Sequence, residues 1–276
     1  LARLSEQADA GSDRAETIEA LRGRILLARG ETADAEEVLR RQYAANPDDF
    51  TVVRSLAFAL MQQNQLEEAE TLLKQYVNTH KTNAEAFVSL ARFYLGMGDP
   101  AKVDAASTAL TRALVLDSDY LPALRALIDV QVRRNNSGDI LAACNRYLTH
   151  DPLNAEVLYI KASVLSREPG REQEALAVIE EAVGQERRPD YLALRGMLHL
   201  RSEDYAEALK DLRDASLDNP DTPARLDAAL AEAYSGLEEQ ELARTYYESA
   251  VAKAKANGEG DSPWLVRLEE IIGQEN

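Results

Sequence analysis

The sequence holds a single cysteine, Cys144, in 276 residues. No intrachain disulfide and no multi-cysteine metal site can form, so the fold must rest on packing. Aromatic residues are scarce at 6%, while Ala, Leu and Glu are abundant. That balance disfavours a β-sandwich and favours helices, because these residues lose little side-chain entropy in a helix. With 13 glycines and 9 prolines, the chain is neither collagen-like nor dominated by linkers. Long apolar runs are missing too: the longest, about Leu56 to Met61, falls far short of the roughly 20 residues a membrane helix needs. Positive charge is in deficit, with 31 Lys and Arg against 48 Asp and Glu and a net charge of −17. A polyanion would meet net repulsion, which argues against nucleic acid as a partner.

Chemistry-bearing motifs are equally sparse. No glycine-rich phosphate loop, paired metal-ligand spacing or nucleophile elbow occurs. His80, His150 and His199 are scattered, and none has a second ligand at coordinating distance in sequence. Asn135-Asn136-Ser137 matches a glycosylation acceptor, but Asn and Ser also serve as turn formers there. The reading is of a protein without catalysis, metal or cofactor. The first residue is Leu, so a processed or excised piece is expected, with any signal or anchor segment outside it.

What the chain does have is a repeat. A register near 34 residues starts at Glu16, Phe50, Ala84, Leu121, Ala155, Pro189 and Ala224. The eighth place of each unit holds Gly23, Ala57, Ala91, Ile128, Ala162, Gly196 and Ala231. Near the twentieth stand Ala35, Ala69, Ala106, Ile140, Ala175, Ala208 and Ala243. Four residues further on come Leu39, Leu73, Leu110, Cys144, Ile179, Leu212 and Tyr247. Small residues followed one turn later by a larger apolar one describe two helices that cross closely and seal their seam by packing. Asn46-Pro47, Asp151-Pro152 and Asn219-Pro220 supply helix breaks between units. The third unit carries extra residues near Gly98-Asp99-Pro100, and the fourth has Ile128 and Ile140 where small residues are expected.

This pattern resembles the tetratricopeptide repeat (TPR) family, whose unit is a helix-turn-helix of 34 residues. The expected fold is all-α, a right-handed α-solenoid of about seven units over residues 16–257. Residues 1–15 read as the end of a preceding helix or a linker. Residues 258–276 read as a C-terminal capping helix, with Ser262 and Pro263 at its start and Trp264, Leu265, Leu268, Ile271 and Ile272 on one face. Such a helix would cover the apolar end of the last repeat.

The resemblance also implies which positions face the concave groove: places 2, 5, 6, 9, 12 and 13 of the first helix of each unit. The basic residues there are Arg24, Arg54, Arg92, Arg125, Arg133, Arg167, Arg201 and Arg225. The acidic ones are Glu85, Asp129, Glu156, Asp190 and Glu232, so the groove is net positive in a chain of net charge −17. Guanidinium forks suit carboxylates, and an arginine strip within an acidic molecule reads as a site for a protein or peptide with acidic segments. Phe58 and Tyr159 add apolar anchors. The alternative use of the arginines is to cover apolar surface and pair with neighbouring carboxylates. The Lys and Asn clamp by which some TPR domains hold chaperone tails is missing, since place 9 carries no Asn and place 6 no Arg.

Taken together, the partner-binding candidates are Arg54, Phe58, Arg92, Arg125, Arg133, Tyr159, Arg167 and Arg201. The expected role is a protein-interaction scaffold within a multi-protein complex. Resemblance to bacterial scaffolds places it weakly in envelope assembly, in the periplasm or envelope. A structural spacer, or the regulatory TPR region of a larger enzyme or exopolysaccharide-export protein, remains open beside it.

Overall fold

The computed structural model describes residues 21–217, 223–258 and Trp264. Among them there are helices and turns and no strand. Residues 28 and below contribute α1 from residue 21, and α2 spans Thr32–Ala45. The following pairs are α3 (Phe50–Gln62) with α4 (Leu66–Thr79) and α5 (Ala84–Gly96) with α6 (Val103–Leu116); α7 (Leu121–Arg134) and α8 (Ser137–Leu148) come next in the chain. Then come α9 (Ala155–Leu165) with α10 (Glu172–Gln185), α11 (Pro189–Arg201) with α12 (Tyr205–Ser216), and α13 (Ala224–Gly236) with α14 (Gln240–Ala256). Each first helix from α3 onward begins at the residue where the 34-residue register places a unit start.

Local chemistry sets several of those starts. The Asp49 carboxylate accepts from the Thr51 N–H at 2.8 Å, Asn83 from Ala86 N–H at 3.0 Å, and Asn154 from Val157 N–H at 3.2 Å. Each cap satisfies an amide that the first turn leaves unpaired, worth about 1 kcal/mol. The extra residues of the third unit fold into a 3-10 turn, Pro100–Lys102, capped by Asp99 through the Ala101 N–H at 2.9 Å. Asn135 ends α7 in the left-handed conformation, a use of asparagine that fits its turn reading.

The chain divides into two compact units, Leu1–Asn136 and Ser137–Asn276. In the first, α3 packs on α4 and α5 on α6 within repeats, while α2 meets α3, α4 meets α5 and α6 meets α7 between them. One apolar cluster runs from Ala35 on α2 to Val130 on α7. In the second unit, α9 packs on α10, α11 on α12 and α13 on α14. Its last repeat is closed by a cluster of Ala224, Ala231, Tyr234, Ala243, Tyr247, Ala250 and Ala254, against which half-buried Trp264 packs. The remaining positions assigned to the capping helix, the segment before residue 21 and the Asn219-Pro220 break lie outside the described residues.

The repeat columns are the seams. Ala91, Ala162 and Ala231 at place 8, and Ala35, Ala69, Ala106, Ala175, Ala208 and Ala243 near place 20, are all fully buried. Ile128 and Ile140, the larger residues that the fourth unit carries at these two places, are buried as well, at 0% and 5% exposure. The glycines show how little room place 8 leaves. A Cβ on Gly196 would stand 2.8 Å from Leu212 Cγ and 3.2 Å from the Ala208 carbonyl oxygen; one on Gly23 would stand 2.9 Å from Leu39. Place 8 of the first helix thus abuts the large apolar residue of the second. In the sixth repeat the seam has a polar clasp: Arg195 on α11 donates two hydrogen bonds, of 2.6 and 2.7 Å, to the fully buried Asp211 on α12.

Three substitutions test this packing. Gly196→Ala will lower the unfolding midpoint, by about 1–3 kcal/mol for overpacking. Gly184→Ala, at a helical position with nothing within 4 Å of the added Cβ, will raise it by up to about 1 kcal/mol. Urea melts followed by circular dichroism read both, and equal effects at the two sites would contradict the close seam. Asp211→Ala strips the partner from Arg195, whose side chain keeps 17% exposure, so the cost is expected near the lower end of about 3–5 kcal/mol. An unchanged melt would show that the clasp contributes nothing.

Candidate functional site

In the first unit the first helices α3, α5 and α7 touch in succession, α3 with α5 and α5 with α7, and so form one wall. Residues at the groove places emerge from that wall. Phe58 on α3 is 44% exposed. Beneath it lies a cavity of about 480 Å³ whose floor includes Ala57, Met61, Leu73, Val88 and Phe93. Arg54, Glu85, Arg92 and Tyr120 form the polar rim. Arg54 is held there by an ion pair with Glu85 of the next repeat and lies 5.8 Å above the Phe50 ring. Burial pushes the Tyr120 phenol above its ordinary pKa; Glu85 adds to the rise, while Arg92 and Arg54 oppose it.

A second cavity of about 620 Å³ opens beside the first, between α5 and α7. Its walls carry Arg92, Leu95, Gly96, Arg125, Asp129 and Arg133, so Arg92 belongs to both. Arg125 Nη1 pairs with Asp129 one turn on, at 2.5 Å. Arg92 and Arg133 are exposed, and neither makes an ion pair or side-chain hydrogen bond among the described residues. The arrangement is an apolar socket with Arg92 on its rim and Arg133 in the cavity beside it.

The second unit disposes its candidates differently. Tyr159 is half-buried and stacks on Tyr191, with ring centroids 4.8 Å apart. Arg188 covers the other ring at 4.9 Å from the Tyr191 centroid. Arg201 donates to the Ser166 carbonyl at the end of α9, satisfying a helix terminus. Arg167 is exposed and makes no ion pair among the described residues. A cavity of about 550 Å³ on α11 and α13 is bordered by Met197, Leu200, Arg225, Glu232 and Trp264, and Arg225 lies 5.9 Å above the indole ring.

The structure therefore brings Arg54, Phe58, Arg92, Arg125 and Arg133 onto one wall, and sets Tyr159, Arg167 and Arg201 in the other unit. Sequence reasoning missed Tyr120, Met61 and Leu73. Tyr120 stands just before a unit start, outside the first-helix places, and Leu73 was assigned to the seam, where it is 2% exposed and still floors the socket. Two of the histidines have partners within the fold: His80 stacks on Tyr76 at 4.0 Å, and His199 Nδ1 lies 3.5 Å from Asp204. Among the described residues no group of three His, Cys, Asp or Glu could hold a metal ion, and no helix is long and apolar enough to cross a membrane.

Comparison with known proteins agrees with this architecture. The tetratricopeptide repeat family model matches residues 26–87. Among curated proteins none matches the sequence. A tetratricopeptide repeat protein from Parabacteroides merdae is similar in structure with a TM-score of 0.58 at 16% identity, over 87% of this chain and 93% of that one. PilF of Pseudomonas aeruginosa aligns with a TM-score of 0.63 at 17% identity, over 80% of this chain and 96% of that one. YrrB, described as a TPR protein with an unusual peptide-binding site, gives 0.57 at 18% identity, over 65% of this chain and 91% of that one. With its small-residue seams and paired helices, the chain shares the fold of these tetratricopeptide repeat proteins, and its residues 26–87 match the model of that family.

Proposed function

We propose that the protein is a non-enzymatic scaffold that captures a segment of a protein partner on the first-helix face of its repeats. The observation that carries this reading is the wall of α3, α5 and α7, where exposed Phe58 lines a largely apolar cavity and Arg92 and Arg133 have no ionic partner among the described residues. Exposed aromatics beside arginines are the residue types that dominate interface energetics, whereas catalysis needs converging acid, base or nucleophile groups. The fold shared with YrrB, described as a TPR protein with an unusual peptide-binding site, supports peptide capture as the role. Fold likeness to PilW, a type IV pilus biogenesis factor, supports bacterial envelope assembly as the setting.

A spacer subunit with an empty groove is the competing reading, and site-specific photo-crosslinking separates the two. A benzophenone side chain placed at Phe58 is expected to trap a discrete partner in the native host. One placed at Val115, 74% exposed on α6, is expected not to. Trapping at Val115 alone would move the interaction off the first-helix face. With the trapped partner purified, Arg92→Glu with Arg133→Glu should weaken binding more at low than at high ionic strength, because salt already screens exposed charges. The same variant should melt within about 0.5 kcal/mol of the parent, since both side chains are exposed and lie outside the seams. Unchanged affinity at low salt would contradict the assignment.

A further inference from the structure

We infer that the first unit recognises an acidic, extended segment in which one bulky apolar side chain is followed or preceded closely by carboxylates. The apolar side chain enters the socket beneath Phe58, and the carboxylates meet Arg92 and Arg133. The inference rests on the capture role proposed above and adds the chemistry of what is captured.

Three features lead to it. The socket is lined mainly by apolar side chains, Ala57, Met61, Leu73, Val88 and Phe93, with the Ser89 hydroxyl as its one polar group besides the rim of Arg54, Glu85, Arg92 and Tyr120. Against the apolar side chains a ligand group is best apolar, because a polar group lodged there without a partner would lose its hydration without recompense. At about 480 Å³ the space admits a Phe or Leu side chain with part of its backbone. Met61 and Phe58 can turn about their own bonds, so shape selects bulk rather than one residue type.

Charge then fixes the neighbours of that side chain. On this wall Glu85 neutralises Arg54 and Asp129 lies against Arg125, which leaves the Arg92 and Arg133 guanidiniums as the groups open to a ligand anion. They are positive points on a chain of net charge −17, whose field elsewhere repels acidic segments. Arg92 borders both cavities, so a carboxylate on it sits directly beside the socket. Arg133 borders only the second cavity, so it reaches a carboxylate further along the segment. Because the two cavities succeed one another across α3, α5 and α7, the occupant that reaches both is an extended chain rather than a compact ligand.

Fluorescein-labelled ten-residue peptides in a Gly and Ser background test this by anisotropy on the whole chain. Each carries one Phe and two carboxylates, at offsets of one to four residues on either side, with matched Gln and Lys series. At least one acidic spacing should bind about tenfold more tightly than its Gln counterpart at low ionic strength, and the Lys series should bind more weakly still. Replacing the peptide Phe with Ser should cost about tenfold again. Phe58→Ser should abolish the preference for Phe, and Arg92→Glu with Arg133→Glu the preference for acid, while Val115→Ser leaves both intact. Indifference to acid at every spacing, or peptide binding that survives both groove variants, would overturn the inference. If the Phe58 photoprobe still traps a partner, the capture role stands and only this ligand chemistry falls.

Discussion

Close helix approach is the constraint from which the rest follows. At place 8 and near place 20 the chain carries Gly or Ala in nearly every unit, and the space at Gly196 shows that even one methyl group has no room. Packed interiors respond to such changes sharply, because their density leaves no slack to absorb them. With the seams fixed by small residues, each helix pair has one way to close. The first helices then stand side by side with a defined face turned away from the seam.

That face is free to carry chemistry because it bears none of the packing. Phe58, Arg92 and Arg133 could each be replaced without removing a buried contact of the columns, yet they project from a wall of helices packed on one another. Rigid presentation lowers the ordering cost of binding, which is why a modest set of exposed groups can select a ligand. The second unit uses corresponding side chains for its own cohesion: Tyr159 stacks on Tyr191 and Arg201 closes the end of α9. The same repeat place therefore serves binding in one setting and structure in another.

The columns and helix starts were legible because they repeat: an apolar period and an N-cap at a fixed place are local properties that one residue sequence displays directly. The direction of Phe58, Arg92 and Arg133 was legible for the same reason, through the register of the TPR resemblance. The ion pair of Arg54 with Glu85 and the contact of Arg125 with Asp129 were not, since each depends on side-chain rotamers chosen among several reachable carboxylates. Nor was the entry of Tyr120 into the rim, because it comes from a turn whose path no periodicity describes.

Hydroxyl-radical footprinting of the purified chain, alone and with its native partner, tests the account most directly, since it reads the solvent access of individual side chains. Phe58, Met61 and Tyr120 should lose reactivity in the complex while Val115 and Leu116 on α6 keep theirs. Protection of Val115 and Leu116 with Phe58 unchanged would contradict the first-helix wall as the binding face.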